Sequence, residues 1–243
     1  MQRLRKSWFL VRFDLVRHGM GYILSVLFFG YGSGMVLMMF QDMEGKDASS
    51  FNSANLIIDL YFLCILGLSG FAFASLYYRM YWRSKSFSKK AIFLKSYPIS
   101  ARETVESKIM SVIIHVIGQG GVFFSVMYFG PSPLQELLSV SQYFEFIIMW
   151  LAYAFVWGCF YAYMEISFSE KAYLWGCIGI AILYSLVLCL GWLADYPLVQ
   201  HSIGWIQQYG IWAPLGSLVV SAAALLIFHR AGIKKIHSRD LYL

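Results

Sequence analysis

Residues 20–40 read MGYILSVLFFGYGSGMVLMMF, a run of 21 residues without a single Asp, Glu, Lys or Arg. An α-helix rises about 1.5 Å per residue, so a run of this length can cross roughly 30 Å of hydrocarbon. Five further apolar stretches follow at about 56–78, 109–129, 143–166, 173–193 and 212–228. The sequence therefore predicts an all-α integral membrane protein, with residues 1–243 forming one domain of six transmembrane helices.

The composition and the placement of charge agree with a membrane location. Hydrophobic residues make up 59% of the chain and charged residues 13%, whereas soluble domains carry about 25% charge. The net charge of +6 could suit a nucleic-acid binder, but eighteen of the nineteen Lys and Arg residues fall on one side of the six-span alternation, with Lys46 as the exception. By the positive-inside rule, both termini are predicted to be cytoplasmic, and nucleic acid is not expected as a partner.

Two segments outside the spans have the pattern of helices at the membrane surface. Residues 1–18 place Leu4, Trp8, Val11 and Leu15 at helical spacing among five basic residues. This pattern predicts an interfacial amphipathic helix that contacts anionic lipid, with an ordinary basic flank as the alternative. Residues 194–211 contain no basic residue and carry Trp205 and Tyr209, so they are predicted to form an outer interfacial or re-entrant segment.

Few side chains in the spans point to catalysis or metal binding. The four cysteines all lie in apolar stretches without metal-ligand spacing, and neither an HExxH motif nor a GxxxxGK[ST] phosphate loop occurs. His115 and Gln119 lie one turn apart, and we expect interhelical hydrogen bonding there rather than a proton relay. The sequence therefore predicts no catalytic residue, no metal site and no cofactor bound by this chain.

Glycines and aromatic residues mark two of the predicted spans. Gly30, Gly32 and Gly34 of the first span would allow another helix to approach closely, either within the chain or at a dimer interface. The fourth span is rich in Tyr, Phe and Trp. These aromatic side chains could line a path for an amphipathic substrate, although packing and lipid contact are the favoured interpretation.

The segment between the second and third spans carries the most specific local pattern. Ser100 and Glu103 form an S-x-x-E capping box, which predicts a helix that begins near Ala101. Pro98 disfavours helix at the residue before it. The apolar run at 91–94 precedes this helix start, so residues 91–108 are either a solvated loop with one capped helix or a segment onto which a partner packs.

Residues 94–108, LKSYPISARETVESK, resemble the corresponding segment of ABC type-2 permeases, the transmembrane subunits of a large exporter family. The basic ending from Arg230 to Leu241, with its Arg-Asp-Leu, is also similar to that family. The resemblance implies a permease that pairs with a second permease copy or homologue and binds cytoplasmic ATP-binding cassette ATPases, which hold the ATP and Mg²⁺. It implies a coupling contact through Leu94, Tyr97, Pro98, Ile99, Ser100, Arg102 and Glu103. Tyr97 departs from the family, which often has Leu there.

The function implied by the resemblance is ATP-driven export of a hydrophobic or amphipathic compound across the cell membrane, as in the bacterial plasma membrane. An alternative is the substrate-capturing membrane subunit of an ABC uptake system. That subunit also has six helices but would not need the long basic segment between the second and third spans. An intramembrane enzyme is a third class, for which the spans lack a nucleophile and base or a metal-binding motif.

Overall fold

The structure is a computed structural model that describes residues 2–17, 19–41, 53–70, 99–130 and 134–238. Within these ranges the chain is helical and contains no β-strand. Five of its helices are long and apolar enough to cross a membrane, by length and composition. The predicted fold class is therefore confirmed to the extent of an all-α, multi-pass membrane architecture.

The described residues form nine α-helices. In chain order they are α1 (Gln2–Arg17), α2 (Gly19–Gln41), α3 (Ser53–Leu60), α4 (Ala101–Phe129), α5 (Leu134–Leu137), α6 (Val140–Ser167), α7 (Glu170–Leu193), α8 (Leu198–Tyr209) and α9 (Trp212–Ser238). After α3 the chain continues through one π-helical turn, Tyr61–Ile65, and one 3₁₀ turn, Leu66–Leu68.

The five long apolar helices, α2, α4, α6, α7 and α9, cover the predicted first, third, fourth, fifth and sixth spans. The second span, predicted at 56–78, is described only as far as Gly70, as part of a shorter apolar helix over Ser53–Leu68. Its remainder lies outside the described residues, and so do residues 91–98 of the predicted coupling segment. The total of six spans and the cytoplasmic position of the termini stay predictions.

Local sequence patterns explain where α6 begins and where α8 ends. α6 begins with a second capping box, in which Ser139 Oγ accepts a hydrogen bond from Gln142 N at 3.4 Å and Ser139 N donates to Gln142 Oε1 at 3.0 Å. Such a box satisfies two backbone donors at a helix start. α8 ends at Gly210, whose φ of 53° lies in the left-handed region that glycine adopts without steric cost.

Contacts between helices define two ends of the bundle. Lys108, near the start of α4, contacts Glu165 near the end of α6, and Tyr143 at the start of α6 donates to the carbonyl of Phe124 near the end of α4. These two helices therefore run antiparallel. We call the end that contains Lys108 and Glu165 the charged end, and the end that contains Tyr143 and α8 the opposite end.

The core is an aromatic cluster that joins the second-span helix to α4 and α6. Phe62 is fully buried, and its ring centroid lies 5.5 Å from that of Phe123, 5.7 Å from that of Phe146 and 4.8 Å from that of Trp150, all in edge-on geometry. Edge-on pairs place the positive ring edge against the negative face. By contrast, α7 and α9 expose most of their apolar side chains, as suits contact with lipid tails.

The structure corrects the face of α1 that the sequence pattern assigns to lipid. Val11, predicted to face the membrane, is 1% exposed and Leu15 is only partly exposed, whereas Trp8 is 48% exposed, as much as Phe13. α1 packs chiefly on α4. The most exposed apolar residues of α1 are instead Phe9 and Val16. Helical spacing alone cannot distinguish these faces, since both carry apolar side chains.

Candidate coupling site at the charged end

The capping box predicted at the start of α4 is present. Ser100 adopts extended backbone, its Oγ accepts from Glu103 N at 3.2 Å, and Ser100 N donates to Glu103 Oε2 at 2.8 Å. The helix begins at Ala101, as the sequence predicts. Two backbone N–H groups that would otherwise lack partners are thereby satisfied. The starting point of α4 is thus set by two residues of the predicted coupling segment itself.

The predicted coupling residues divide into two groups. Leu94, Tyr97 and Pro98 lie outside the described residues. Ile99, Ser100, Arg102 and Glu103 lie together at the start of α4, where Glu103 is buried and Ser100 is exposed. Both residues form the capping box, but only Ser100 is accessible at the surface. No contact with an ATPase subunit is tested, so the coupling assignment stays a prediction.

Glu106 is the central acid of the charged end, although no sequence motif marks it. Its Oε1 accepts from Arg102 Nε at 2.8 Å and lies 4.0 Å from Nε2 of His229 in α9. Its Oε2 lies 3.5 Å from Ser7 Oγ of α1. The spacing of four residues between Arg102 and Glu106 predicts that ion pair. The contacts with Ser7 and His229 depend on helices remote in sequence.

A second, less exposed ion pair connects α4 to α6. Lys108 Nζ lies 2.6 Å from Glu165 Oε1, and the two side chains are 20% and 14% exposed. Val105 lies about one turn before Lys108 in α4. A Cβ placed at Gly232 of α9 would lie 3.2 Å from Val105 Cγ2, so α9 approaches α4 closely at this level. The first two turns of α4 therefore contact α1, α6 and α9. A displacement of this helix start would change the packing of all three helices.

The glycines predicted for close packing face different surroundings. A Cβ at Gly32 would lie 3.1 Å from Tyr61 Cε1, and one at Gly30 would lie 3.6 Å from Val122 Cγ1. Both glycines thus face other helices of the same chain. A Cβ at Gly34 would meet no atom within 4 Å. The involvement of Gly30, Gly32 and Gly34 in a dimer interface stays a prediction, and Gly34 is the position best placed to test it.

The structure differs from the expectation for His115. Its Nδ1 lies 2.6 Å from the carbonyl oxygen of Ser111, one turn earlier in the same helix. Its ring meets Tyr22 of α2 edge-on, with centroids 5.4 Å apart. The hydrogen bond is therefore within α4, and the contact between helices is aromatic. Among the described residues, no group of three or more His, Cys, Asp or Glu side chains could hold a metal ion.

The opposite end holds a second polar network. The buried carboxylate of Asp59 accepts hydrogen bonds from Leu198 N at 2.9 Å and Val199 N at 2.8 Å. Asn55 Oδ1 accepts from Gln200 Nε2 at 2.9 Å. A carboxylate at a helix N-terminus satisfies free donors and interacts favourably with the helix dipole. The segment predicted at 194–211 is thus a short helix, α8, attached to α3.

The structure has five long apolar helices within the described residues, a capped start of α4, and ion pairs at the charged end. These features are those of a membrane protein with one charge-rich end. Comparison with known proteins does not add a family to this description, because no family model, curated protein or solved structure matches the chain.

Proposed function

We propose that this chain is the membrane-spanning permease subunit of an ABC transporter, exporting a hydrophobic or amphipathic compound with ATP hydrolysed by a separate ATPase subunit. The observation that carries the proposal is α4, one uninterrupted helix of 29 residues. It begins at Ala101, within the segment that resembles a coupling helix, and continues to the opposite end. A force applied at its first turn would therefore reach the membrane interior.

The contacts at the charged end suggest how a displacement of the first turn of α4 would be transmitted to neighbouring helices. Glu106 lies next to side chains of α1 and α9, and Lys108 pairs with α6. In the proposed cycle, two permease subunits alternate between inward- and outward-facing arrangements as two ATPases close on ATP and Mg²⁺. These polar contacts would make the charged ends of four helices move together, rather than letting α4 slide past its neighbours.

The test of the proposal is recovery of an ATP-binding cassette ATPase with the tagged chain from its native membranes. Leu94→Asp and Arg102→Glu should each lower this recovery at least about tenfold, which corresponds to ~1.4 kcal/mol of binding free energy, because they place a negative charge at the expected docking surface. Ser100→Ala should keep the complex, since loss of a cap costs only about 1 kcal/mol of helix stability.

Lys171→Glu is the matched control, since Lys171 is an exposed cation at the charged end but belongs to α7. It should leave ATPase recovery and transport at the parent level. Full ATPase recovery and full transport by both Leu94→Asp and Arg102→Glu would overturn the coupling assignment and the main residue-level support for a permease.

A separate prediction concerns which end of the bundle is cytoplasmic. Ser139 and Ser169 are exposed and lie at the two ends of α6. In a chain whose four native cysteines are replaced, Ser139→Cys should react with an impermeant thiol reagent in intact cells, whereas Ser169→Cys should react only after permeabilisation, because the basic residues retain the charged end inside. The reverse pattern would contradict the proposed orientation.

A further inference from the structure

The outward side of α1 carries an apolar stripe that none of the described helices covers. Phe9, Phe13 and Val16 are 67%, 49% and 77% exposed. Their spacing of four and three residues places them on one side of the helix. The opposite side of α1 carries the buried Ser7 and Val11, so the helix has one face for the protein and another for its surroundings.

Basic side chains flank this stripe. On a helical wheel Arg5 and Arg12, seven residues apart, lie along one flank, and Lys6 lies along the other. All three are exposed. Asp14, the acidic residue of α1, is only partly exposed and lies toward the protein-facing side. An apolar stripe between two cationic flanks is the pattern by which helices lie in the headgroup region of a bilayer.

The position of α1 in the chain places the apolar stripe near the membrane–water interface. α1 ends at Arg17, and α2, which is long and apolar enough to span a membrane, begins at Gly19. α1 therefore lies where α2 leaves the hydrocarbon. Three exposed cations at this level favour anionic over zwitterionic phospholipids, since the attraction of each Lys or Arg to an anionic membrane surface changes binding by about fivefold.

The protein-facing side of α1 contacts the first turn of α4. Ser7 Oγ lies 3.5 Å from both the carbonyl oxygen of Glu103 and Oε2 of Glu106. Lys6 Nζ lies 3.9 Å from Glu103 Oε1, and its side chain is 62% exposed. An ammonium group has three donors, so Lys6 can face a lipid phosphate while it remains near Glu103. A lipid contact that immobilises α1 would thus also immobilise the start of α4.

We infer that the outward face of α1, formed by Phe9, Phe13 and Val16 between Arg5, Arg12 and Lys6, binds anionic phospholipid headgroups, and that this binding stabilises the first turn of α4. The lipid contact does not depend on the proposed transport function. Only its consequence for coupling to an ATPase rests on that proposal. Anionic lipid would then act as a partner that orders the helix start on which the ATPase is expected to act.

The experiment compares amide hydrogen exchange of the full-length chain, without an ATPase, in nanodiscs of phosphatidylcholine and in nanodiscs with about 30% phosphatidylglycerol. Anionic lipid should slow exchange in residues 5–16 and 101–106 by about tenfold or more in the parent chain. In Arg5→Gln/Arg12→Gln this difference should largely disappear. Lys234→Gln/Lys235→Gln removes the same charge from α9 at the same end and should keep the full effect.

Equal exchange of residues 5–16 of the parent chain in the two lipid compositions would overturn the inference. A lipid effect of the same size in Arg5→Gln/Arg12→Gln and in the parent chain would also overturn it. Slower exchange in α1 without any change in residues 101–106 would refute the link to α4. Because no ATPase is present, these outcomes are independent of the co-purification test, which can fail or succeed separately.

Discussion

Gly158→Leu is expected to destabilise the protein by about 3 kcal/mol, because α4, α6 and the end of the second-span segment meet at this glycine. A Cβ at Gly158 would lie 2.6 Å from Val112 Cγ1 of α4 and 3.3 Å from the Cα of Gly70, at the described end of the second-span segment. A Cβ at Gly70 would in turn lie 2.7 Å from the Cα of Gly158. Backbone cannot rotate away as a side chain can, so the helices must separate.

The measurement is the midpoint of thermal unfolding of the full-length chain in detergent, which should fall by roughly 10 °C. Gly179→Leu is the matched control, since a Cβ at Gly179 of α7 would meet no atom within 4 Å. It should unfold at the parent temperature. If Gly158→Leu also unfolds at that temperature, then α6 does not approach the second-span helix as closely as described, and the packing argument is wrong.

Asp59→Ala is expected to release α8 from α3, at a cost of about 3 kcal/mol. Asp59 is 1% exposed and its two carboxylate oxygens accept from the backbone N–H groups of Leu198 and Val199. Alanine would leave both donors without their acceptor at a buried helix start. Asp59→Asn keeps one acceptor oxygen and loses the negative charge, so about half of that effect is expected.

Amide exchange of α8 measures this release directly, because residues 198–209 should exchange faster in Asp59→Ala than in the parent chain. Asn55→Ala is the control for general damage to α3. It removes the side-chain bond to Gln200 but leaves the Asp59 carboxylate and its two backbone donors in place, and should change exchange much less. Unaltered exchange of α8 in Asp59→Ala would show that the apolar contacts of Val199, Ile203 and Ile206, all buried, hold this helix without the carboxylate.

Several features of the charged end were predictable because they depend on neighbours in sequence. The capping box of Ser100 and Glu103 and the start of α4 at Ala101 follow from a four-residue pattern. The pair of Arg102 and Glu106 follows from helical spacing. The contacts of Glu106 with Ser7 and His229 were not predictable, since these residues lie on α1 and α9. The sequence carried no signal that these helices would meet at this acid.

The sequence also predicted a lipid-facing helix at residues 1–18, but the protein covers part of the face that the pattern selected. Trp8 and Val11 were both assigned to the membrane side because they are apolar and correctly spaced, yet Trp8 is exposed and Val11 is buried. Phe9, Phe13 and Val16 have equivalent spacing, and the choice between the two stripes depends on which one α4 covers. For His115, the sequence indicated a polar side chain within a span, but not that its hydrogen bond would stay in its own helix.

The sequence by itself determined that the chain is helical and suited to a membrane, where most of the long helices begin and end, and that basic residues concentrate on one side of the predicted spans. These properties depend on local composition, spacing and capping, which act within a few residues. Only the tertiary structure decided which carboxylate caps α8, which glycines face another backbone and which side of α1 is exposed. Asp59 and Leu198 are 139 residues apart, and no local pattern links such a donor to its acceptor. Their contact arises because folding brings two helices together and a buried donor must find a partner.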